Sequence, residues 1–540
     1  MNKKKKIVLL GGGYGGLLTA KKLANKFKND SNVEITLIDK NPYHTMRTEL
    51  HEVVAERVSE ESIRIDLKKI FAGRKVNVVL DHIKNIDFDK KVLKSENKKY
   101  DYDYLVVGTG SRPTFFGIPG VEEYTKKLWE YDDAVNLKAH ILHMFREAIK
   151  ETDKEKRRKM LTFVVVGGGF TGIELVGELG EYKERLCKKF CIDKEEVKLY
   201  VVDAMPKILP ILSDNLIKKA EKRLEKLEVE IITGAKITEV SKESVTLGDK
   251  GTIESNTIVW AAGVEGSELM GNVDVQQNGR KRIVTNDKLQ SVDHENVYVV
   301  GDNIFYIVEG QERPVPQMVE NAEHSAPLVA NNIYADIKGK EKKSYKPTFH
   351  GCMVCIGGQY GVATVGFPGK MVGVTGFMAM FIKHFINLVY FLQVAGISKC
   401  CSYISHEIFH VKDNRSLIGG HLTKSYQKFW LVPLRIFIGH QWLQHGLNNP
   451  AGIATGEVVI GLLLITGLFT SLSAVTSIVM AIMLCISGGF SSEILWYVIG
   501  AVALMGGAGK SLGLDYYVLP SLKKTWNNIG FVKKNYLDID

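Results

Sequence analysis

At 540 residues the chain is too long for one ordinary core and is expected to divide into about three or four units. It is 45% hydrophobic and 24% charged, and its +10 formal charge is carried by short lysine runs such as Lys3 to Lys6 and Lys154 to Lys159. No aromatic residues are interleaved with those runs and no nucleic-acid module is present, which argues against a nucleic-acid partner and suits an anionic membrane surface.

Seven cysteines, at 187, 191, 352, 355, 400, 401 and 485, form no disulfide framework and point to a reducing compartment. The lysines at the N-terminus followed by Ile7 to Leu10 imitate a signal peptide, but the apolar run stops after four residues at a glycine cluster. That run reads instead as a buried parallel strand entering GGGYGG at residues 11 to 16 and then a helix from Leu17 to Lys28.

Strand, glycine turn and helix in this order form a dinucleotide cradle. Gly11 permits the tight turn, Gly13 lets the backbone approach a pyrophosphate, and Gly16 lets the helix pack close to the strand. The next strand, Glu34 to Ile38, ends in Asp39, 23 residues after Gly16, where a carboxylate accepts from a ribose diol.

A charged helix from Asp132 to Lys159 leads to a second apolar run, Leu161 to Val166, and to GGGFTG at residues 167 to 172. Gly167, Gly169 and Gly172 repeat the spacing, and the strand Lys198 to Val202 ends in Asp203, 31 residues after Gly172. An acid there favours NADH over NADPH, with Lys207 nearby as the opposing influence. Two nucleotide folds imply two nucleotides, and the economical chemistry is hydride transfer from nicotinamide to a held flavin.

The order and wording of the motifs resemble the two-dinucleotide flavoproteins and, within them, the type II NADH:quinone oxidoreductases. The resemblance covers residues 5 to 410 and rests on LIDKNPYHTMRTELHE at 37 to 52, VVVGGGFTGIELVGELGE at 164 to 181, TIVWAAGV at 257 to 264 and VYVVGDN at 297 to 303. It implies a fold of class α/β with two Rossmann-like domains, an FAD domain at 1–112 and 265–365 and an NAD domain inserted at 113–264.

The FAD residues so implied are Gly11, Gly13, Tyr14, Gly15, Gly16, Asp39, Lys40, Ile83, Thr109, Gly110, Asp302 and Val319. The NAD residues are Gly167, Gly169, Phe170, Thr171, Gly172, Glu174, Asp203, Ala262 and Gly263. Asp302 would hold the ribityl chain of FAD, although Gly301-Asp302 alone reads as a turn. Glu174 would lie near the nicotinamide and flavin rings, and an acid in the first turn of a helix is favourable in any case.

The family pattern AQxAxQ is replaced by VENAEH at 319 to 324. Glu320 and His324 thus stand where two amides are expected, as a proton relay to a quinone, as a sign of another acceptor, or as an i, i+4 pair on a helix surface. Cys352 and Cys355 fall in a probable strand, where residues three apart are about 10 Å apart and on opposite faces, so they are not a redox pair. No cysteine pair follows the first glycine turn, which disfavours a disulfide reductase. Cys187 and Cys191 lack further metal ligands, and no metal is assigned.

Met371 to Ile397 is apolar apart from Lys383, His384, Asn387 and Gln393, with Lys383, Asn387 and Tyr390 near one stripe. This suits a segment in the membrane interface, and the family's anchoring helix, here 366–424, occupies this place. From Phe429 four hydrophobic segments, 429–447, 451–470, 473–490 and 494–512, read as transmembrane helices. The region 425–520 resembles the DoxX-like membrane domain, all-α with about four spans, followed by a cytoplasmic tail at 521–540.

Lys424, Lys428, Lys510, Lys523 and Lys524 flank this domain while 448–452 and 488–493 carry no Lys or Arg, so both ends are expected on the cytoplasmic side. Arg435, His440, His445 and Glu457 lie within the spans, with His440 and Glu457 at similar depth and able to pair as a proton or quinone-head site, or as helix-to-helix contacts.

The expectation is a multi-pass membrane protein whose cytoplasmic domains pass electrons from NADH through FAD to a membrane quinone without pumping protons. Alternatives are delivery to a non-quinone or extracellular acceptor through a partner at the membrane domain, and a non-enzymatic membrane redox sensor, which predicts eroded glycine turns. Both turns are intact. A homodimer, the identity of the quinone and use of NADPH stay open.

Overall fold

The computed structural model describes residues 4–409, 415, 428–448, 454–488, 492–535, 537 and 539. It contains two compact units, 1–423 and 424–540.

The first unit opens with β1 (Lys5–Leu10), α1 (Tyr14–Lys26), β2 (Val33–Asp39) and the short α2 (Leu50–Val54), followed by β3 (Asn77–Leu80) and β4 (Tyr104–Val107). Then come β5 (Lys126–Lys127), α3 (Tyr131–Lys150), β6 (Thr162–Val166), α4 (Phe170–Phe190), β7 (Lys198–Val202), β8 (Val229–Ile232) and β9 (Thr257–Trp260). The chain continues through β10 (Val297–Val299), α5 (Val319–Lys338), a hairpin sheet of β11 (Gly351–Cys355), β12 (Gly361–Phe367) and β13 (Lys370–Thr375), and α6 (Phe377–Ile404).

Two parallel sheets organise these elements, in the orders β10-β4-β1-β2-β3 and β5-β9-β6-β7-β8. The first sheet takes its outer strand β10 from beyond the whole of the second, so the second nucleotide fold is inserted in the first. β1 and β6 are central in their sheets, and all but the first two residues of β1 and every residue of β6 are buried, as the apolar runs require when helices cover both faces.

Helix α6 is amphipathic in an inverted sense. Lys383, Asn387 and Tyr390 are buried against the protein, whereas Phe377, Phe381, Phe385, Ile386, Val389 and Leu392 are each more than half exposed. The polar stripe therefore docks inward and the apolar face is left outward. Gly396, at φ +77°, interrupts the helix. Lys21 of α1 donates to the carbonyls of Gln393 (2.6 Å) and Val394 (2.8 Å) just before that break. Among the described residues, Phe377–Glu407 is the one stretch long and apolar enough to cross a membrane by length and composition.

The second unit contains α7 (Leu431–Asn448), α8 (Ala454–Thr466), α9 (Thr470–Gly488) and α10 (Ser492–Leu504). The described parts of α8 and α10 are 13 residues each, about 20 Å at 1.5 Å per residue, and both begin next to residues outside the described set. Lys424 and most of the connections 448–452 and 488–493 lie outside the described residues.

Arg435 is buried and donates to the carbonyls of Ala508 (3.0 Å), Ser511 (3.1 Å) and Leu512 (3.0 Å). Glu457 pairs with His445 (2.8 Å), not with His440, which is exposed. Geometry explains the difference. His445 lies three residues before the end of α7 and Glu457 three after the start of α8, level with each other in a helical hairpin, while His440 points about 140° away around the helix.

Candidate functional site

The two glycine turns have the same construction. Gly11 has φ +105° and Gly167 φ +120°; a Cβ on either would strike the carbonyl of the neighbouring strand end, Gly108 or Ala261. A Cβ on Gly16 would overlap the carbonyl oxygen of Gly11, and one on Gly172 that of Gly167, so helix and turn touch backbone to backbone. Gly13 and Gly169, by contrast, face open space. They are also the N-caps of α1 and α4, and no side chain caps either helix. Each helix thus presents its first amides to a space that admits a phosphate.

Each turn is tied to its acid in the same way. Asp39 accepts from the amides of Gly12 (2.5 Å) and Asn41 (2.7 Å). Asp203 accepts from those of Gly168 (2.5 Å) and Met205 (2.6 Å). Burial raises the Asp39 carboxyl against the lowering effect of its two amides.

Both turns open into one cleft of about 800 Å³. Of the residues expected around FAD, Gly11, Gly13, Tyr14, Gly15, Asp39, Lys40, Ile83, Thr109, Gly110, Asp302 and Val319 line it, and Gly16 lies behind the turn. Of those expected around NAD, Gly169, Phe170, Thr171, Glu174 and Gly263 line it. Gly167, Gly172 and Asp203 do not, and Ala262 packs instead on the core of the second sheet.

A polar frame holds the cleft between the turns. Ser111 donates to Asp302 (2.5 Å), whose carboxyl is raised by burial. The buried Asn303 accepts from the Gly110 amide (2.7 Å) and donates to the Gly110 carbonyl (3.1 Å). Arg47 lies 5.1 Å over the ring of Trp129, whose indole N–H donates to the Ser111 carbonyl (2.6 Å), and Lys40 pairs with Glu130 at 2.7 Å. Sequence reading missed Arg47, Trp129, Ser111 and Asn303. The only signal for Arg47 was its place inside the 37–52 phrase.

Glu174 lies in the cleft wall, only 17% exposed, facing His51 (3.7 Å) and accepting from the Cys355 amide at 3.4 Å. Burial pushes its carboxyl up to about 8, so it holds a proton at neutral pH. Burial likewise pushes His51 down to about 3, leaving it neutral.

Behind Glu174 lies a buried charge cluster. Arg57 bonds Glu178 (2.9 Å), Glu407 (2.8 Å) and Glu52, while Lys383 bonds Glu49 (3.0 Å) and Glu52. Asn387 donates to Glu49 (2.9 Å). Four carboxylates face two cations. Burial, together with repulsion from Glu52, raises Glu49, while Glu52, despite its burial, is held well below the usual carboxylate range by Arg57 and Lys383.

His44 links the cleft to α6. Its Nδ1 donates to the Gly12 carbonyl (3.1 Å), so Nε2 accepts from the Tyr390 hydroxyl (2.9 Å), and the Tyr390 ring lies 5.0 Å from that of Tyr14.

Glu320 and His324 do not line the cleft; they are an i, i+4 pair on α5, 3.5 Å apart, the helix-surface arrangement their spacing allowed. Val319 and Ala322 form the cleft-facing row of α5, and the Glu320–His324 row is turned about 150° away. Glu320 bonds His350 Nδ1 (2.6 Å) and lies 3.5 Å from His324. Cys352 and Cys355 are both in strand β11, the first half-buried and the second buried, as expected of a strand.

A model of the family described as pyridine nucleotide-disulphide oxidoreductase matches residues 5–326. The fold and the paired turns thus define a member of that class, an oxidoreductase whose cofactors are FAD and NADH.

The type II NADH:quinone oxidoreductase of Staphylococcus epidermidis is 34% identical over 397 residues, 73% of this chain and 97% of that protein. The enzyme of the same name from Staphylococcus aureus is 34% identical over 398 residues, with the same coverage. The chain belongs to the type II NADH:quinone oxidoreductase family.

Among solved structures, NDH2 of Plasmodium falciparum in complex with NADH superposes with a TM-score of 0.66 at 18% identity, covering 75% of this chain and 98% of that one. The sulfide:quinone oxidoreductase of Aquifex aeolicus gives 0.60 at 20% identity, covering 74% and 92%. Both show the fold of the first unit's architecture.

Proposed function

We propose that the protein oxidises NADH and passes the electrons to a membrane quinone from the cytoplasmic face of the bilayer, without pumping protons. The observation that carries this reading is the Tyr14–Tyr390 contact at 5.0 Å, which connects the nucleotide cleft to a helix whose apolar face is turned outward. An apolar stripe of this length is unusual on a soluble surface and suits insertion into the acyl boundary of a membrane, where a lipid-soluble acceptor is concentrated.

The chemistry FAD supplies when bound is acceptance of two electrons from NADH and their delivery to a second acceptor. The chain's residues bind, orient and supply protons. The amides at Gly13 and Gly169 take the pyrophosphates, and Asp39 and Asp203 take the riboses. Asp302 and Ser111 hold the polar middle of the flavin site. Glu174 keeps a proton at the cleft wall, ready for a reduced quinone, with the Cys355 amide donating to it at 3.4 Å and neutral His51 3.7 Å away.

The domain limits 1–112 with 265–365, 113–264 and 366–424 follow the same reading, and 425–520 is a DoxX-like membrane domain.

Stopped-flow mixing tests the proposal. NADH bleaches the flavin anaerobically, and menaquinone or ubiquinone analogues restore its absorbance within the turnover time. Failure of every quinone to do so, with bleaching intact, overturns the acceptor.

A further inference from the structure

We propose that Glu320, His324 and His350 form a binding site for a divalent transition metal of the zinc class, outside the nucleotide cleft. The three residues come from two separate elements. Glu320 and His324 are one turn apart on α5, and His350 immediately precedes β11. Their ligating atoms, Glu320 Oε1, His324 Nε2 and His350 Nδ1, all lie within 4.8 Å of one another.

That arrangement is close to what a metal needs. Zinc binds imidazole nitrogen and carboxylate oxygen at about 2.0–2.2 Å, so two ligand atoms of a tetrahedral site are about 3.4 Å apart. Glu320 Oε1 is 3.5 Å from His324 Nε2 and 2.6 Å from His350 Nδ1. The first distance already fits. The second is a hydrogen bond, which the metal replaces by moving in between and displacing the shared proton.

The carboxylate is oriented independently of that proton. The backbone amide of His350 donates to Glu320 Oε1 (3.0 Å) and Oε2 (3.2 Å), and the bond to Oε2 survives when Oε1 turns to the metal. The imidazole planes of His324 and His350 are 25° apart with centroids at 6.1 Å, and the rings of Phe349 and Phe367 pack edge-on against them. Two imidazoles and one carboxylate leave a fourth position for water, the composition of an open zinc site.

The three ligands do not form a local motif, since His350 stands 26 residues after His324. The site ties the first turn of α5, whose Val319 and Ala322 line the cleft, to the start of β11, whose Met353 lines it too. A bound metal therefore joins two walls of the cleft. The site rests on its own geometry, independent of the electron acceptor.

The test uses the full-length flavoprotein in detergent, freed of metal by chelation and titrated with Co²⁺ alone. One equivalent is expected to produce the visible bands of four-coordinate cobalt in a flavin-subtracted spectrum, and one equivalent of Zn²⁺ to remove them. H350Q and H324Q each are expected to weaken Co²⁺ binding at least tenfold with flavin content unchanged, while H143Q, on the exposed face of α3, leaves it as in the parent. Zn²⁺ is expected to raise the melting temperature of the parent and not of H350Q. Absence of the bands, or bands of equal strength in parent and both variants, overturns the site.

Discussion

Glu174→Gln removes the ionisation of the carboxyl in the cleft wall while keeping its shape. The parent group is raised from 4.5 to about 8, with burial as the largest cause. A rise of that size, at about 1.4 kcal/mol per unit, is roughly 5 kcal/mol of discrimination against the charged form. Because the folded value lies above the unfolded one, the stability this group contributes is fully present below pH 4.5 and is lost as pH rises to about 8.

Between pH 5 and pH 8 the parent should therefore lose about 4 kcal/mol that the Gln form retains. For a folded unit of some 420 residues that corresponds to about one degree of melting temperature per kcal/mol. Thermal unfolding of the holoprotein across this range should show the parent falling about four degrees further than Glu174→Gln, the two meeting at the acid end. Parallel curves would refute the assignment of a proton to Glu174 at neutral pH.

The two turns separate by substitution. Gly16→Val drives a side chain into the Gly11 carbonyl and should give protein without flavin absorbance, whereas Gly172→Val should keep the flavin and slow its bleaching by NADH at least a hundredfold. Asp203→Ser removes the acceptor expected for the free ribose hydroxyl, and the ratio of kcat/KM for NADH over NADPH should fall at least tenfold; an unchanged ratio would place the ribose elsewhere. Arg57→Met strips a fully buried cation from three carboxylates and should cost about 3–5 kcal/mol, read as a melting point several degrees lower in the holoprotein. An unaltered melting point would show the cluster contributes no net stability.

Much of the nucleotide chemistry was legible because it is written in contiguous backbone. Gly11 and Gly16 must lack a Cβ, and Asp39 must follow the second strand, whatever the rest of the chain does. The polar stripe Lys383–Asn387–Tyr390 was also legible from helical spacing, but the direction it faces was not. A periodicity identifies a face; it does not say whether lipid or protein covers it. Here Lys383 finds Glu49, 334 residues earlier, and that pairing turns the apolar face outward.

Sequence by itself determined that there are two nucleotide folds, where each begins, and which acid ends its second strand, since these depend on local φ values and on van der Waals exclusion within one turn. Only the tertiary structure decided what surrounds the chemistry. It set Glu174 beside His51 and Cys355, turned Glu320 and His324 toward His350, and paired Glu457 with His445 in place of His440. Those outcomes depend on where separate elements meet and on how far a helix has rotated at that point, and neither is written in a stretch of neighbouring residues.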